Sequence, residues 1–234
     1  MPSLSQRRRE PEIMDQPGLD PAQHARALRG LARINWWSGS AGNVWPPLVA
    51  LARAVGRTLR VLDLATGGGD VPLRLWRRAR RAGIPLRLEG CDVSPVAVAH
   101  AEAEARRRGA DVRFFVHDAL NGPPLDGYDV LTCSLFLHHL DDAAALALLR
   151  RMGREAASLV LVNDLVRGWP GLLLAQVGTR LLSRSPVVHA DGPRSVRAAF
   201  TRAELKELAE RAGLPGATVS WRWPWRMLLT WRRP

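Results

Sequence analysis

Acidic residues around a run of glycines, together with a histidine pair, carry the residue types and spacings in this chain that could do chemistry. Asp63-Leu64-Ala65-Thr66-Gly67-Gly68-Gly69-Asp70 ends one apolar run and opens a helical pattern. A glycine-rich turn lets a ligand approach the backbone, and ligands of open α/β sheets sit at the carboxyl ends of strands. The acids make the loop a poor seat for a pyrophosphate, which seeks the positive end of a helix. The G-x-G-x-x-G pattern also fails, because Pro72 stands where the third glycine should be. A ligand with cationic groups and no phosphate fits better. Asp92 closes the next apolar run, 23 residues after Gly69. A carboxylate there can accept hydrogen bonds from both hydroxyls of a ribose.

His138 and His139 follow the fourth apolar run. Imidazole is suited to moving protons near neutral pH. At most one of two adjacent residues is expected to face a pocket, with His138 the first choice and His139 close behind. His189, in Val187-Val188-His189-Ala190-Asp191, is the next candidate base. Asp164 either orients a bound molecule or caps a helix. No established metal-ligand spacing such as H-E-x-x-H occurs, and no metal is expected.

These residues need a scaffold. Apolar runs at 59–65, 86–92, 112–118, 128–134 and 158–164 read as strands. Helical patterns at 70–82, 95–108 and 142–156 separate these five strands, which implies a parallel sheet with helices on both faces. Ahead of the sheet, Asp20-Pro21 starts a helix to about residue 34. A break at 35–39 and a second helix over 45–55 follow. Behind it, an apolar helix covers 169–183. A capping box of Thr201 and Glu204 opens another to about residue 212. The tail from Ala217 reads as a strand pair with Pro224 at the bend. Residues 1–19 read as a flexible tail.

The chain of 234 residues, 47% hydrophobic, suits one globular domain, here spanning 20–234. Cys91 and Cys133 lie in apolar runs and read as buried, reduced thiols. The basic start is not followed by an apolar leader core, and no run of about 18 uncharged apolar residues exists. A cytoplasmic protein is expected. The formal charge is +12, and all basic residues among Lys and Arg except Lys206 are Arg. The charge is spread along the chain, which favours a coding bias toward Arg over a dedicated anion-binding patch.

On these motifs the sequence resembles the class I methyltransferases that use S-adenosylmethionine (SAM). Residues 63–70 look like that family's first motif, Asp92 like its ribose-binding acid, and Val93 like the residue beside the adenine. Residues 117–120 resemble its third-strand segment, in which Asp118 meets the adenine amino group beside Ala119. Residues 128–140 look like its fourth-strand segment. The resemblance covers about residues 45–165. It implies a Rossmann-like, doubly wound α/β fold, a seven-stranded sheet with the last strand antiparallel. It implies a cofactor site of Asp63, Ala65, Thr66, Gly67, Gly69, Asp92, Val93, Asp118 and Ala119, with Ser134 near the homocysteine end. Ala65 stands where many members have Gly, and the turn tolerates it if φ is negative. The arrangement looks most like the small-molecule group with the ubiquinone and menaquinone methylases. Residues 20–55 would then be lid helices and 166–200 the substrate-pocket insertion.

The resemblance implies methyl transfer to a small, fairly apolar acceptor, at a phenol, enol or quinol oxygen or at a ring carbon. His138, His139 or His189 would serve as base. An RNA or DNA methyltransferase is the alternative, but residues 134–137 lack the Asn/Asp-Pro-Pro-aromatic pattern of amino-methylating enzymes. A SAM-fold binding protein without catalysis is the other. The Trp- and Arg-rich residues 221–234 would form edge strands that cover the sheet or a dimer contact, touch a membrane interface, or stack on nucleic acid. The acceptor and the oligomeric state stay open.

Overall fold

A computed structural model describes residues 4–15 and 18–234. Helices α1 (Pro21–Trp37) and α2 (Ser40–Val55) come first. The alternating core follows: β1 (Leu59–Leu64), α3 (Asp70–Ala82), β2 (Leu86–Asp92), α4 (Pro95–Arg108), β3 (Val112–Val116), β4 (Val130–Ser134), α5 (Asp142–Glu155) and β5 (Leu159–Leu165). Then come α6 (Trp169–Leu182), α7 (Pro186–Ala198), α8 (Arg202–Arg211), β6 (Thr218–Arg222) and β7 (Arg226–Arg232).

One seven-stranded sheet forms in the order β3-β2-β1-β4-β5-β7-β6. The first five strands are parallel, and β7 runs antiparallel to both β5 and β6. The expected Rossmann-like α/β sheet with an antiparallel last strand is therefore present. Strand order reverses between β1 and β4, which leaves a crevice above their carboxyl ends. Leu51, Leu75 and Val98 bury the faces of α2, α3 and α4 against one side of the sheet. Leu148, Met152 and Leu205 bury α5 and α8 against the other. Cys91 and Cys133 are free and buried. Burial pushes the Cys91 thiol up to about 12.

Three local expectations change. The first helix runs on to Trp37, because buried Asn35 is held by hydrogen bonds to Asp70 and Arg226. The second starts at Ser40, after Gly39 turns the chain with φ of 68°, and continues through Pro46 and Pro47. The flexible tail does not hold for residues 4–15, and residues 1–3, 16 and 17 lie outside the described ones. Arg167 donates to the carbonyls of Leu4 and Ser5. Arg7 reaches the Leu140 carbonyl, and the amides of Ile13 and Met14 donate to Asp191. Ile13 and Met14 also pack on the small apolar cluster of Ala27, Val187 and Val188, so polar anchors and apolar contact together fix the segment. Its Ile13–Asp15 turn packs on α7, which itself packs on α1 and α6.

Candidate active site

A cavity of about 790 Å³ occupies the crevice, within the usual range for small-molecule sites. Its floor is the set of strand ends. After β1 the loop alternates left-handed residues, with φ of 50° at Ala65, 54° at Gly67 and 72° at Gly69. The expectation of negative φ at Ala65 is thus corrected. The turn demands the conformation glycine takes freely, and a side chain there costs roughly 1–2 kcal/mol. Gly69 also departs from its expected role, since it does not line the cavity. A Cβ there would come within 2.6 Å of the Phe114 ring, so it is the packing of α4 and β3 that requires glycine. Gly68, which the sequence reading passed over, lines the cavity with Gly67.

Asp63 lies beneath the loop and accepts from Thr66 Oγ1 at 2.8 Å and Thr132 Oγ1 at 2.6 Å. Burial pushes its carboxyl up to about 7, against the pull of those hydroxyls. Asp92 accepts from the amides of Gly67 at 2.8 Å and Ser94 at 2.9 Å. These bonds lock its carboxylate at the cavity beside exposed Val93. Asp118 accepts from the amides of Leu120 and Asn121, and these bonds outweigh its burial to hold it below the usual carboxylate range. Ala119 lines the cavity with it. Ser134 also faces the cavity, and its buried Oγ has no hydrogen-bond partner among the described residues.

His138 and His139 both line the cavity, against the expectation that only one would. They sit on a 3-10 turn, Leu137–His139, which rotates successive side chains by about 120° rather than flipping them as a strand does. Their rings are 4.3 Å apart. His138 Nδ1 lies 2.6 Å from Asp164 Oδ1, and the His138 amide donates to Asp164 Oδ2 at 3.1 Å. Burial alone would raise the Asp164 carboxyl, but the charge and hydrogen bond of His138 hold it below its ordinary value. A carboxylate that ionises at this position keeps the proton of the ring on Nδ1 and turns Nε2 outward. Glu12 faces both rings, with Oε1 at 3.8 Å from His138 Nε2 and Oε2 at 3.9 Å from His139 Nε2. Ser195 Oγ donates to Glu12 at 2.5 Å.

His189 is not part of this cluster. It does not line the cavity, and its Nε2 donates to the Ser183 carbonyl at 2.7 Å. Its place in the right segment did not aim it at the site. Leu28, Leu31 and Ile34 of α1, Leu174 of α6 and Val187 and Val188 of α7 give the cavity an apolar upper wall. Arg226, which pattern reading missed, also lines the cavity and is buried beside Ser40 and Asn35. Burial lowers its guanidinium to about 10. Glu12, Ser195 and Arg226 carry no local motif that could have found them.

The strand order and the antiparallel β7 give the fold seen in solved S-adenosylmethionine-dependent methyltransferases. Residues 61–156 of the chain match the family model described as a methyltransferase domain. A demethylmenaquinone methyltransferase from Thermus thermophilus is 39% identical over 106 residues, which is 44% of this chain and 46% of that protein. The chain thus matches about half the length of this curated relative. Among solved structures, an O-methyltransferase family 2 protein from Planctomyces limnophilus, in complex with apigenin, superposes with a TM-score of 0.68. It is 16% identical, over 94% of this chain and 63% of that one. Magnesium protoporphyrin IX methyltransferase from Synechocystis, with bound SAH, gives a TM-score of 0.56 at 17% identity, over 95% of this chain and 91% of that one. At these identities the likeness is one of fold.

Proposed function

We propose that the chain is an enzyme that transfers a methyl group from SAM to a hydroxyl oxygen of a small, fairly apolar phenol, enol or quinol. The observation that carries this reading is the His138–Asp164 pair, aimed into the same cavity as the glycine loop and Asp92.

The donor set fits the cofactor. Asp92 is pinned where it can accept from ribose hydroxyls, with Val93, Asp118 and Ala119 around the base. Thr66, Gly67 and Gly68 offer backbone next to the amino-acid end. The orphaned Ser134 Oγ is a polar atom that a ligand would satisfy. Asp63 props the loop, and no phosphate is required beside these acids. Bound SAM supplies a methyl group on a cationic sulfur, which reacts by in-line displacement. Such a step needs alignment above all. His138 Nε2 takes the proton of the acceptor hydroxyl. Asp164 keeps the ring in the tautomer that can do so and steadies the imidazolium, and Glu12 adds negative charge beside it. Residues 20–55 then act as the lid and 166–200 as the substrate wall, with apolar side chains that suit a greasy ring and exclude water. Apigenin, with which the Planctomyces neighbour is in complex, is a phenol of this kind.

Ring-carbon methylation is a second reading, favoured by the sequence match to a demethylmenaquinone methyltransferase. Titration with S-adenosylhomocysteine, with NAD as control, tests the cofactor. Micromolar binding is expected for the former alone. Asp92→Ala should weaken it about tenfold to a hundredfold, the scale of hydrogen bonds to a charged group. Binding of NAD, or an Asp92→Ala variant with unchanged affinity, would sink the reading. Turnover with dihydroxynaphthoate and alkylphenol acceptors, read by NMR, separates a methoxy product from a methyl on the ring.

A further inference from the structure

The outer side of α6 carries an apolar stripe that no other segment covers among the described residues. Trp169, Leu173, Val177 and Leu181 recur every fourth residue, so they share one side of a helix about 21 Å long. Leu173 is 62% exposed and Leu181 78% exposed. A monomer in water rarely keeps such a stripe without a use for it.

More apolar surface adjoins it. Arg33 of α1 donates to the Leu182 carbonyl at the end of α6. Four residues further on, α1 ends in Trp36 and Trp37, and the Trp37 ring lies 4.6 Å from Trp223 in the β6–β7 turn. Trp225 of the same turn packs on Gly168 and Gly171 at the start of α6. Trp36 is 65% and Trp223 62% exposed. The end of α1, the outside of α6 and the β6–β7 turn therefore adjoin one another. Of the Trp-rich C-terminus, only Trp221 and Trp223 are exposed, since Trp231 is buried in the sheet.

The charge around this face has one sign. Residues 21–62, 165–190 and 211–234 contain no Asp or Glu at all. Exposed Arg26, Arg29 and Arg33 line the outer side of α1 ahead of the tryptophans, and exposed Arg180 and Arg184 flank Leu181. A second copy of the chain docking symmetrically on this face would set arginine against arginine. A nucleic acid would meet the arginines but leave the leucine stripe in water. Exposed leucine, tryptophan at the rim and arginine without carboxylates together match the interface of an anionic bilayer.

We propose that α6, the end of α1 and the β6–β7 turn dock the protein on an anionic phospholipid surface. Leu173, Val177 and Leu181 enter the acyl boundary, the tryptophans sit at headgroup depth, and the arginines pair with lipid phosphates. No helix among the described residues is long and apolar enough to cross a membrane, so the contact is peripheral. Leu174, Ala175 and Gly178, on the inner side of α6, line the cavity. A molecule leaving the bilayer then has a single helix to pass. The docking holds whichever molecule the cavity takes.

Flotation of the full chain with phospholipid vesicles tests this. Vesicles of phosphatidylcholine and phosphatidylglycerol in equal parts should carry the protein up, and phosphatidylcholine alone should carry far less. The Leu173→Glu/Leu181→Glu variant should bind about a hundredfold more weakly. Both side chains point away from the cavity, so its melting temperature and its affinity for S-adenosylhomocysteine should match wild type. Arg180→Glu/Arg184→Glu should abolish the preference for anionic vesicles, and salt should weaken wild-type binding. Wild-type protein that stays at the bottom, or a leucine variant that floats equally well, overturns the proposal. So does a dimer that the leucine variant dissolves while vesicles capture neither form, which would assign the face to a second copy.

Discussion

Two carboxylates at the floor of the cavity are fully buried and yet titrate in opposite directions. Asp63, on β1, has two threonine hydroxyls as partners, and burial drives its carboxyl up to about 7. Asp164, on β5, faces burial as well, but the His138 imidazole beside it pulls the carboxyl below its ordinary value. Hydroxyls satisfy a carboxylate without offsetting its charge, whereas an imidazole can do both. The side we assign to the cofactor thus carries an acid that is costly to ionise and serves to brace a loop. The side we assign to the acceptor carries an ionised acid that acts on a base.

The largest effect should come from breaking the acceptor side. His138→Ala is expected to lower the rate of methyl transfer by about a hundredfold to ten-thousandfold, the range seen for a positioned base. Affinity for S-adenosylhomocysteine should stay within about twofold, because the glycine loop, Asp92 and Asp118 follow other strands and do not depend on the His138 ring. A titration alongside single-turnover rates separates the two. Equal losses in binding and rate would mean that the two sides are not separate. An unchanged rate would leave the oxygen-transfer reading without its base, and would favour a carbon acceptor or another proton path.

The next effect concerns Asp63. Its folded value of about 7 lies above the ordinary 3.8. The folded state therefore holds its proton more tightly than the unfolded state does, and stability falls as pH rises between those values. Below about 4 the penalty is absent, and above about 7 it is complete. At roughly 1.4 kcal/mol per unit it reaches at most about 4 kcal/mol. Asp63→Asn removes the titration. Thermal melts at pH about 5 and about 8 should show the variant gaining on wild type as pH rises. Parallel melts would mean that Asp63 ionises without cost, and the contrast with Asp164 would fail.

The same contrast explains what could be read from the sequence. On the cofactor side the informative residues adjoin strand ends. Asp63, Gly67 and Asp92 follow from the pattern of strand, turn and helix, because the parallel register carries local motifs to one edge. Gly69 does not line the cavity, and a glycine required by the Phe114 ring looks in sequence like one required by a ligand. On the acceptor side, Glu12 and Ser195 hydrogen-bond across 183 positions, and no local pattern specifies that pairing. His189 lay in the expected segment, but α7 turns its ring toward Ser183. The 3-10 turn that aims both His138 and His139 inward is too short to leave a period in the sequence. Residues 4–15 have little apolar content beyond Leu4, Ile13 and Met14, and much of what fixes them is Arg7, Arg167 and Asp191, residues that read individually as surface charge.

The smallest expected effect probes the loop itself. Ala65 holds φ of 50°, a region in which a Cβ crowds the next carbonyl and glycine does not. Ala65→Gly should relieve about 1 kcal/mol of that strain, offset in part by the greater freedom of glycine in the unfolded chain. The net gain in melting temperature should be small, on the order of a degree or two for a chain of this length. Affinity for S-adenosylhomocysteine should not fall, since the backbone at this position keeps its path. A clear loss of affinity without a change in stability would show that the Ala65 methyl group packs against the ligand. The cofactor side would then depend on a side chain as closely as the acceptor side depends on His138.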